Sequence, residues 1–457
     1  MRISKCLKQN IAGFLCNNIF RIITLLYLPF IPINILVDLS SAEEECTVTQ
    51  LTDTVGGESE TWFLNSDGPL GGFDSDANIN GGNPDGSFEA YLINTDTLAI
   101  TQITENTGLD SFPFDISENG NIVALSSQSD PTGGNPDGNR EIFLYDRTSM
   151  TFTQITDTTG EDNIVPKLSG DASLIVFDSL ADPTGGNPDG NREIFLYDAD
   201  SMLTTQITDT ISGDSLVPDI TPDGETIGFH GTADLTGSNV DASLEVFLFD
   251  VSSMIFTQIT DGADLNSATA SLDSDGVRIG LNSDTDPTGG NPDNNREIFL
   301  FNTNTMQFTQ VTDTTGDSIN SGPSISNDGS RLVFTSRGDL TGGNPDGNRE
   351  VFLFDADSDT TMQITDSVGG NSSDAVLSDN GRRILFTSSS NIVGGNPDGN
   401  AEVYFADCRV ILSDSGSNGG CAVTGRVSPK QAGVNAAIML LVLFVAITGV
   451  VRKRVKN

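Results

Sequence analysis

Residues 122–156 read IVALSSQSDPTGGNPDGNREIFLYDRTSMTFTQIT. Three short runs in this stretch, IVALSS, EIFLYD and TFTQIT, alternate apolar and polar residues and are rich in Val, Ile, Phe and Thr. Such runs, bounded by Gly, Asn and Asp, predict short β-strands joined by hairpins. The loop between the first two runs, from Asp130 to Glu141, carries a recurring N-x-D element. Its Asn falls at Asn83, Asn135, Asn187, Asn239, Asn291, Asn344 and Asn396, with spacings of 52, 52, 52, 52, 53 and 52. Seven copies at one period mean a repeat architecture. Each copy also has one further alternating run before its polar turn, which makes four strands, a to d. In the third repeat these are Ile164–Ser169, Leu174–Ser179, Glu193–Asp198 and Leu203–Thr208.

Four antiparallel strands in a unit of about 40–50 residues form a propeller blade, an all-β solution that leaves only short, protected edges. The predicted fold is therefore an all-β, seven-bladed β-propeller. The repeat region opens with an extra d-type run, TVTQLT at 47–52, and ends after a c-type run, EVYFAD at 402–407. The first strand then completes the last blade. In that closure Cys46, just before strand d, faces Cys408, just after strand c. In an oxidising compartment the pair forms a disulfide worth about 4–5 kcal/mol in the chain-entropy model; otherwise it is two reduced cysteines lying close together.

The turns TPDG at 221–224 and SNDG at 326–329, with the E-I-F-L-x-D run and the closing Q-I-T, resemble the TolB-type propeller repeats of exported bacterial proteins. The resemblance covers about residues 47–408 and implies a fold rather than an activity.

The ends read as addresses. Residues 1–42 place a basic, polar stretch before the apolar run at 22–37 and the small residues Ser40, Ser41 and Ala42, the layout of a signal peptide, with an uncleaved N-terminal anchor as the alternative. A propeller at 43–410 is followed by a Gly/Ser-rich stalk at 411–433 and an uncharged stretch at 434–451, long enough as a helix to span about 27 Å. The basic tail at 452–457 then predicts a cytoplasmic end, with the body outside. Gly419, Gly420 and Cys421 ahead of this span resemble bacterial tripartite C-terminal sorting signals, which implies that Cys421 is a processing or attachment residue. A plain single-pass anchor is the alternative.

Charge narrows the partners. Ten of the 22 basic residues lie in 1–42 and 426–457, and Asp38 is the only acid there. Residues 43–425 thus hold 63 acids against 12 basic residues, a net charge near −51. Such a surface repels nucleic acid and anionic lipid and favours cations or basic partners.

Oxygen-rich loops invite a hard cation. Every repeat keeps the Asn and Asp of N-x-D and a Glu four residues after that Asp, with Asp or Asn five residues before the Asn. The fullest sets are Asp130, Asn135, Asp137 and Glu141; Asp182, Asn187, Asp189 and Glu193; and Asp286, Asn291, Asp293 and Glu297. Calcium takes six to eight oxygens on flexible backbone, so one ion per loop is one reading. The other is turn chemistry: N-P-D-G suits a type I turn, and Glu with the Arg of N-R-E (Arg140, Arg192, Arg296, Arg349) would form blade-to-blade salt bridges.

Enzyme signatures are few. Gly213-Asp214-Ser215-Leu216 spells a GDSL motif, but the equivalent loops read GEDN and GDSI, so it follows from the repeat. No G-x-S-x-G elbow or zinc cluster occurs, and His230 is the single histidine. Related propellers that act as lyases use several histidines on a metal, and prolyl peptidases add a hydrolase domain for which no residues remain. Trp62, the single tryptophan, falls where the next repeat has Phe114 and reads as core. The expectation is an exported, membrane-tethered or surface-displayed scaffold without catalysis. It binds a protein or glycan on its loop face or in its central pocket. A calcium-stabilised structural protein and a carboxylate-only carbohydrate-active enzyme are the alternatives. Because functional sites break symmetry, the irregular blades one and four are where to look.

Overall fold

The computed structural model of the chain describes residues 42–65, 69–263, 265–316 and 319–412. The 28 strands fall into seven separate four-stranded sheets, each antiparallel throughout where its register is defined. Blade 1 takes Ser59–Leu64, Leu70–Ser75, Glu89–Asn94 and Ala99–Gln102 as strands a to d. Blade 2 takes Ser111–Ile116, Ile122–Ser127, Glu141–Asp146 and Thr151–Gln154. Blade 3 takes Asn163–Leu168, Leu174–Ser179, Glu193–Asp198 and Leu203–Gln206. Blade 4 takes Ser215–Ile220, Thr226–Gly231, Glu245–Asp250 and Ile255–Gln258. Blade 5 takes Ser267–Leu272, Arg278–Ser283, Glu297–Asn302 and Gln307–Gln310. Blade 6 takes Asn320–Ile325, Arg331–Ser336, Glu350–Asp355 and Thr360–Gln363.

Blade 7 joins Ser372–Leu377, Arg383–Ser388 and Glu402–Leu412 to the N-terminal strand Ala42–Gln50, which is the predicted closure. Cys46 and Cys408 are disulfide-bonded, with Cα atoms 3.9 Å apart. Both closing strands run longer than their sequence patterns suggested, because each continues past the disulfide. The outer strands of the other blades are shorter than expected: each ends at Gln, and in blades 1, 2, 4, 5 and 6 its carboxamide turns back to the carbonyl two residues on, as Gln154 does to Thr156. The predicted leader and the tail with Gly419, Gly420 and Cys421 lie outside the described residues.

The core sits between blades rather than within them. Phe63, Ala90 and Leu92 of blade 1 pack with Ile116, Val123, Leu125 and Phe143 of blade 2, and the same arrangement recurs around the ring. Alternation puts one face of each sheet against the next, so no blade buries its apolar side chains alone. Paired rings on strands b and c, such as Phe177 with Phe195 at 5.7 Å and Phe334 with Phe352 at 5.8 Å, stack across the register.

Candidate functional site

The repeated loop residues are held by hydrogen bonds. Asp130, Asp182 and Asp286 each accept the backbone N–H of the Asn five residues on, at 3.0, 2.9 and 2.9 Å. The Nδ2 groups of Asn135, Asn187 and Asn291 then donate to backbone carbonyls of their own loops, including those of Asn139, Asn191 and Asn295. Asp137 and Asp293 accept from Gly160 and Gly316 in the following d-to-a loop, while Asp189 sits at an exposed turn tip. Glu141 is buried and accepts from Thr158 N–H and Oγ1, Asn139 and Asn163. Glu193 accepts from Thr210 and Asn191, and Glu297 from Thr312, Thr314 and Asn320.

The invariant Glu thus ties its own loop to the loop that leads into the next blade. Among the described residues no group of three or more His, Cys, Asp or Glu gathers as a metal site. A carboxylate already surrounded by N–H and O–H donors has to lose them to take a cation. Excess calcium is therefore expected to leave the thermal midpoint where chelator leaves it; a calcium-dependent rise with ions bound per blade would reverse this reading. The arginines depart from expectation as well. Arg192 lies 3.8 Å from Asp178 and Arg296 3.0 Å from Asp284, both within one blade, because the ends of strands b and c face each other there.

Symmetry breaks instead around the central channel. The fifth residue of strand b is buried and polar in every blade, yet differs: Asp74, Ser126, Asp178, His230, Asn282, Thr335 and Thr387. Several of these side chains brace strand a of the next blade. Asp178 accepts Val217 N–H at 2.9 Å, His230 Nδ1 accepts Thr269 N–H at 3.3 Å, and Thr387 Oγ1 accepts Thr61 N–H at 2.9 Å. His230 is held neutral, its pKa pushed down to about 4 by burial, so it is a packed strand residue.

Strand a carries a bulge in each blade, and two kinds occur. In blades 3 to 7 the third residue takes a left-handed conformation: Val165, Val217, Thr269, Gly322 and Asp374, with φ from 49° to 62°. Only glycine adopts this without strain, so Val217 at φ 49° is held by its surroundings. In blades 1 and 2 the bulge falls later, between Thr61 and Phe63 and between Pro113 and Asp115, and the extra residue is aromatic. Those residues, Trp62 and Phe114, touch at 4.5 Å, and Trp62 also meets Phe112 edge-on at 6.1 Å. Gly72, opposite Phe63, makes the shift feasible, because any Cβ there would fall inside the Phe63 ring.

The mouth is therefore graded. Blades 1 and 2 present Glu60, half-buried Trp62 and Phe112; blades 3 and 4 present Ile164, Val165, Leu216 and Val217; blades 5 to 7 present small residues and Asp374. Phe88 stacks on Phe112 at 5.9 Å, and the Arg140 guanidinium lies 4.6 Å over that same ring. Asp74 accepts a short hydrogen bond from Trp62 Nε1, and burial, with Glu60 facing it across the strands, pushes its carboxyl up to about 8. Glu60 is also raised, by burial first and then by Asp374, Glu58 and Asp76. Trp62 is thus part of a site as well as of the core. Blade 4, the other irregular repeat, departs at His230 and at its loop tip, where Val240 is exposed.

No family model and no curated protein matches the chain. Solved structures match in fold. Oligogalacturonate lyase from Vibrio parahaemolyticus aligns with TM-score 0.55 at 18% identity, over 80% of this chain and 97% of that one. An oligogalacturonate lyase in complex with manganese gives 0.55 at 16%, over 80% and 98%. TolB from Acinetobacter baumannii aligns at 20% identity with TM-score 0.41, over 68% and 64%. The expected seven-bladed propeller holds as a fold. The expectation that the chain is not an enzyme does not stand: a lyase aligned over 97% of its length is propeller nearly throughout, so a propeller needs no added domain for catalysis.

Proposed function

We propose that the protein is an exported propeller that takes a basic segment of a partner into its channel mouth at blades 7, 1 and 2. The observation that carries this reading is Glu60, a half-buried carboxylate raised first by burial and then by three acidic neighbours, with no cation paired to it among the described residues. Like charges gathered beside an aromatic surface are relieved by an ammonium or guanidinium, and the aliphatic wall of Leu216 and Val217 suits the stem of a Lys or Arg side chain. The field of the body adds long-range attraction for such a partner.

A second reading has its own support. Asp74 is a carboxyl kept protonated near neutral pH beside a second carboxyl, which is the equipment of a general acid, and the lyase neighbours show that propellers of this size host catalysis. The density of acids at this mouth argues against an anionic saccharide such as the oligogalacturonate for which those lyases are named.

Trp62, as the single tryptophan, reports on the site directly. Titration with an oligolysine or oligoarginine peptide is expected to shift its emission, more weakly at high salt, and to lose the shift in a Glu60→Gln, Asp374→Asn variant. An equal response to a neutral peptide, or none to the basic one, would sink the proposal.

A further inference from the structure

The residue that leads into strand c is arginine in blades 2, 3, 5 and 6 and Phe88 in blade 1. In blades 3 and 5 a carboxylate at the end of strand b holds the guanidinium: Asp178 for Arg192 and Asp284 for Arg296. In blade 2 these two places are taken by Ser126 and Gln128, which carry no charge. There the Arg140 guanidinium lies 4.6 Å over the Phe112 ring instead. The backbone of Arg140 is pinned, since its N–H donates to Asp162 at 2.8 Å and its carbonyl accepts from Asn163 N–H at 2.8 Å. Its side chain can therefore swing without disturbing the strand.

The two kinds of contact differ in what it costs to open them. Opening the Arg192 pair leaves the buried Asp178 carboxylate without its countercharge, which is strongly unfavourable. Opening the Arg140 contact uncovers only a ring, and a second guanidinium laid on that ring restores what was lost. The surroundings favour such a planar cation. Phe88 stacks on Phe112 at 5.9 Å with 29° between the ring planes, which widens the flat surface, and Trp62 meets Phe112 edge-on at 6.1 Å. Glu60 lies two residues before Trp62 on the same strand, so a carboxylate able to take both prongs of a guanidinium fork borders the aromatic surface. An ammonium is a compact, strongly hydrated charge and has neither the plane nor the fork.

We propose that the mouth selects arginine over lysine, with Phe112 as the platform and Arg140 as the resident occupant that a partner's arginine displaces. This rests on the reading of the mouth as a site for a basic segment and names the residue that it admits. The contact between Arg140 and Phe112 is then an internal copy of the contact made with the partner. Until an arginine arrives Phe112 stays covered, and a lysine lacks the flat group needed to replace Arg140 on it.

The test uses the full chain labelled with 15N-arginine, with unlabelled oligoarginine and oligolysine of equal length at matched ionic strength. The ring current of Phe112 should hold the Arg140 Nε–Hε signal upfield in the native chain. Saturation with oligoarginine is expected to release it toward the position of free arginine, while oligolysine leaves it in place. In Arg140→Gln the ratio of oligoarginine to oligolysine affinity, read from Trp62 emission, should rise about two- to five-fold. The loss of one positive charge acts equally on both peptides and cancels in that ratio. Phe112→Leu should bring the ratio close to one and remove the upfield shift of Arg140. An Arg140 signal that stays in place at saturation, or a ratio unchanged in Arg140→Gln, would overturn the proposal. Binding of both peptides without preference for arginine sinks this inference alone. Binding of neither sinks it together with the reading of the mouth as a basic site.

Discussion

Replacing Cys46 and Cys408 together by serine is expected to lower the unfolding free energy by about 4–6 kcal/mol in the chain-entropy model. The bond closes a loop of 362 residues, which takes in nearly the whole propeller. Every blade but the last is one continuous piece of chain. Blade 7 alone is assembled from both ends, so the reduced ring has its weakest joint there. What remains without the disulfide is a set of non-covalent contacts. Leu51 N–H donates to Val403 at 2.8 Å, Glu402 accepts from Thr54 at 2.6 and 2.8 Å, and Arg331 grips Glu44 with two bonds of 2.6 and 2.9 Å. These close the ring in the folded state but place no limit on the unfolded chain. Denaturant unfolding of the serine pair against the non-reduced native protein measures the loss, and hydrogen exchange should show residues 42–50 opening first. Equal stability, with 42–50 as protected as strand d of any other blade, would mean that the non-covalent contacts suffice.

The closure was legible because it rests on counting: seven Asn positions, one extra d-type run at the start and one missing at the end. The channel mouth was far less so. Trp62 and Phe114 occupy aligned positions, which suggested shared core packing, and period-two patterning has no means of showing that the bulge in blades 1 and 2 falls one residue later than elsewhere. The clue in the sequence was the fifth residue of strand b, which runs Asp, Ser, Asp, His, Asn, Thr, Thr through the repeats while the residue before it stays Phe or Leu and the one after it Ser or Gly. Variation at one polar position inside a regular strand marks the place where each blade does something different. The invariant Glu misled in the opposite direction. Seven acids at one spacing resemble a ligand set, but only the structure shows that the next loop already supplies donors to them, as Thr158 and Asn163 do to Glu141 and Gly262 to Glu245.

Stability should also fall as pH rises from 6.5 to 8, by about 2 kcal/mol, if Asp74 titrates as its surroundings dictate. Burial pushes its folded pKa up to about 8 from the ordinary 3.8, so between these values the folded state binds a proton that the unfolded state has released. Stability is then highest at the acidic end of that span and is lost as pH rises through the folded pKa. Asp178 and Asp273, each raised to about 6 mainly by burial, act in the same direction but complete most of their change lower. Below 6.5 His230 works against them, because its folded pKa is near 4 and the unfolded chain gains its proton first. Asp115 and Asp219, both raised mainly by burial, act in the same direction as Asp74, so the share of Asp74 in the window is read against a variant at that position.

Asp74→Asn is nearly isosteric with the protonated acid and keeps an oxygen for Trp62 Nε1, so it should be more stable than the native protein at pH 8 and lose less stability than the native protein across the window. Trp62 emission should titrate with a midpoint near 8 in the native protein and not in the variant. A flat native profile would mean that the carboxyl is ionised and that water or a cation reaches it. In that case the general-acid reading of the mouth fails, while the binding of a basic partner, which needs only Glu60 and its neighbours, is left intact.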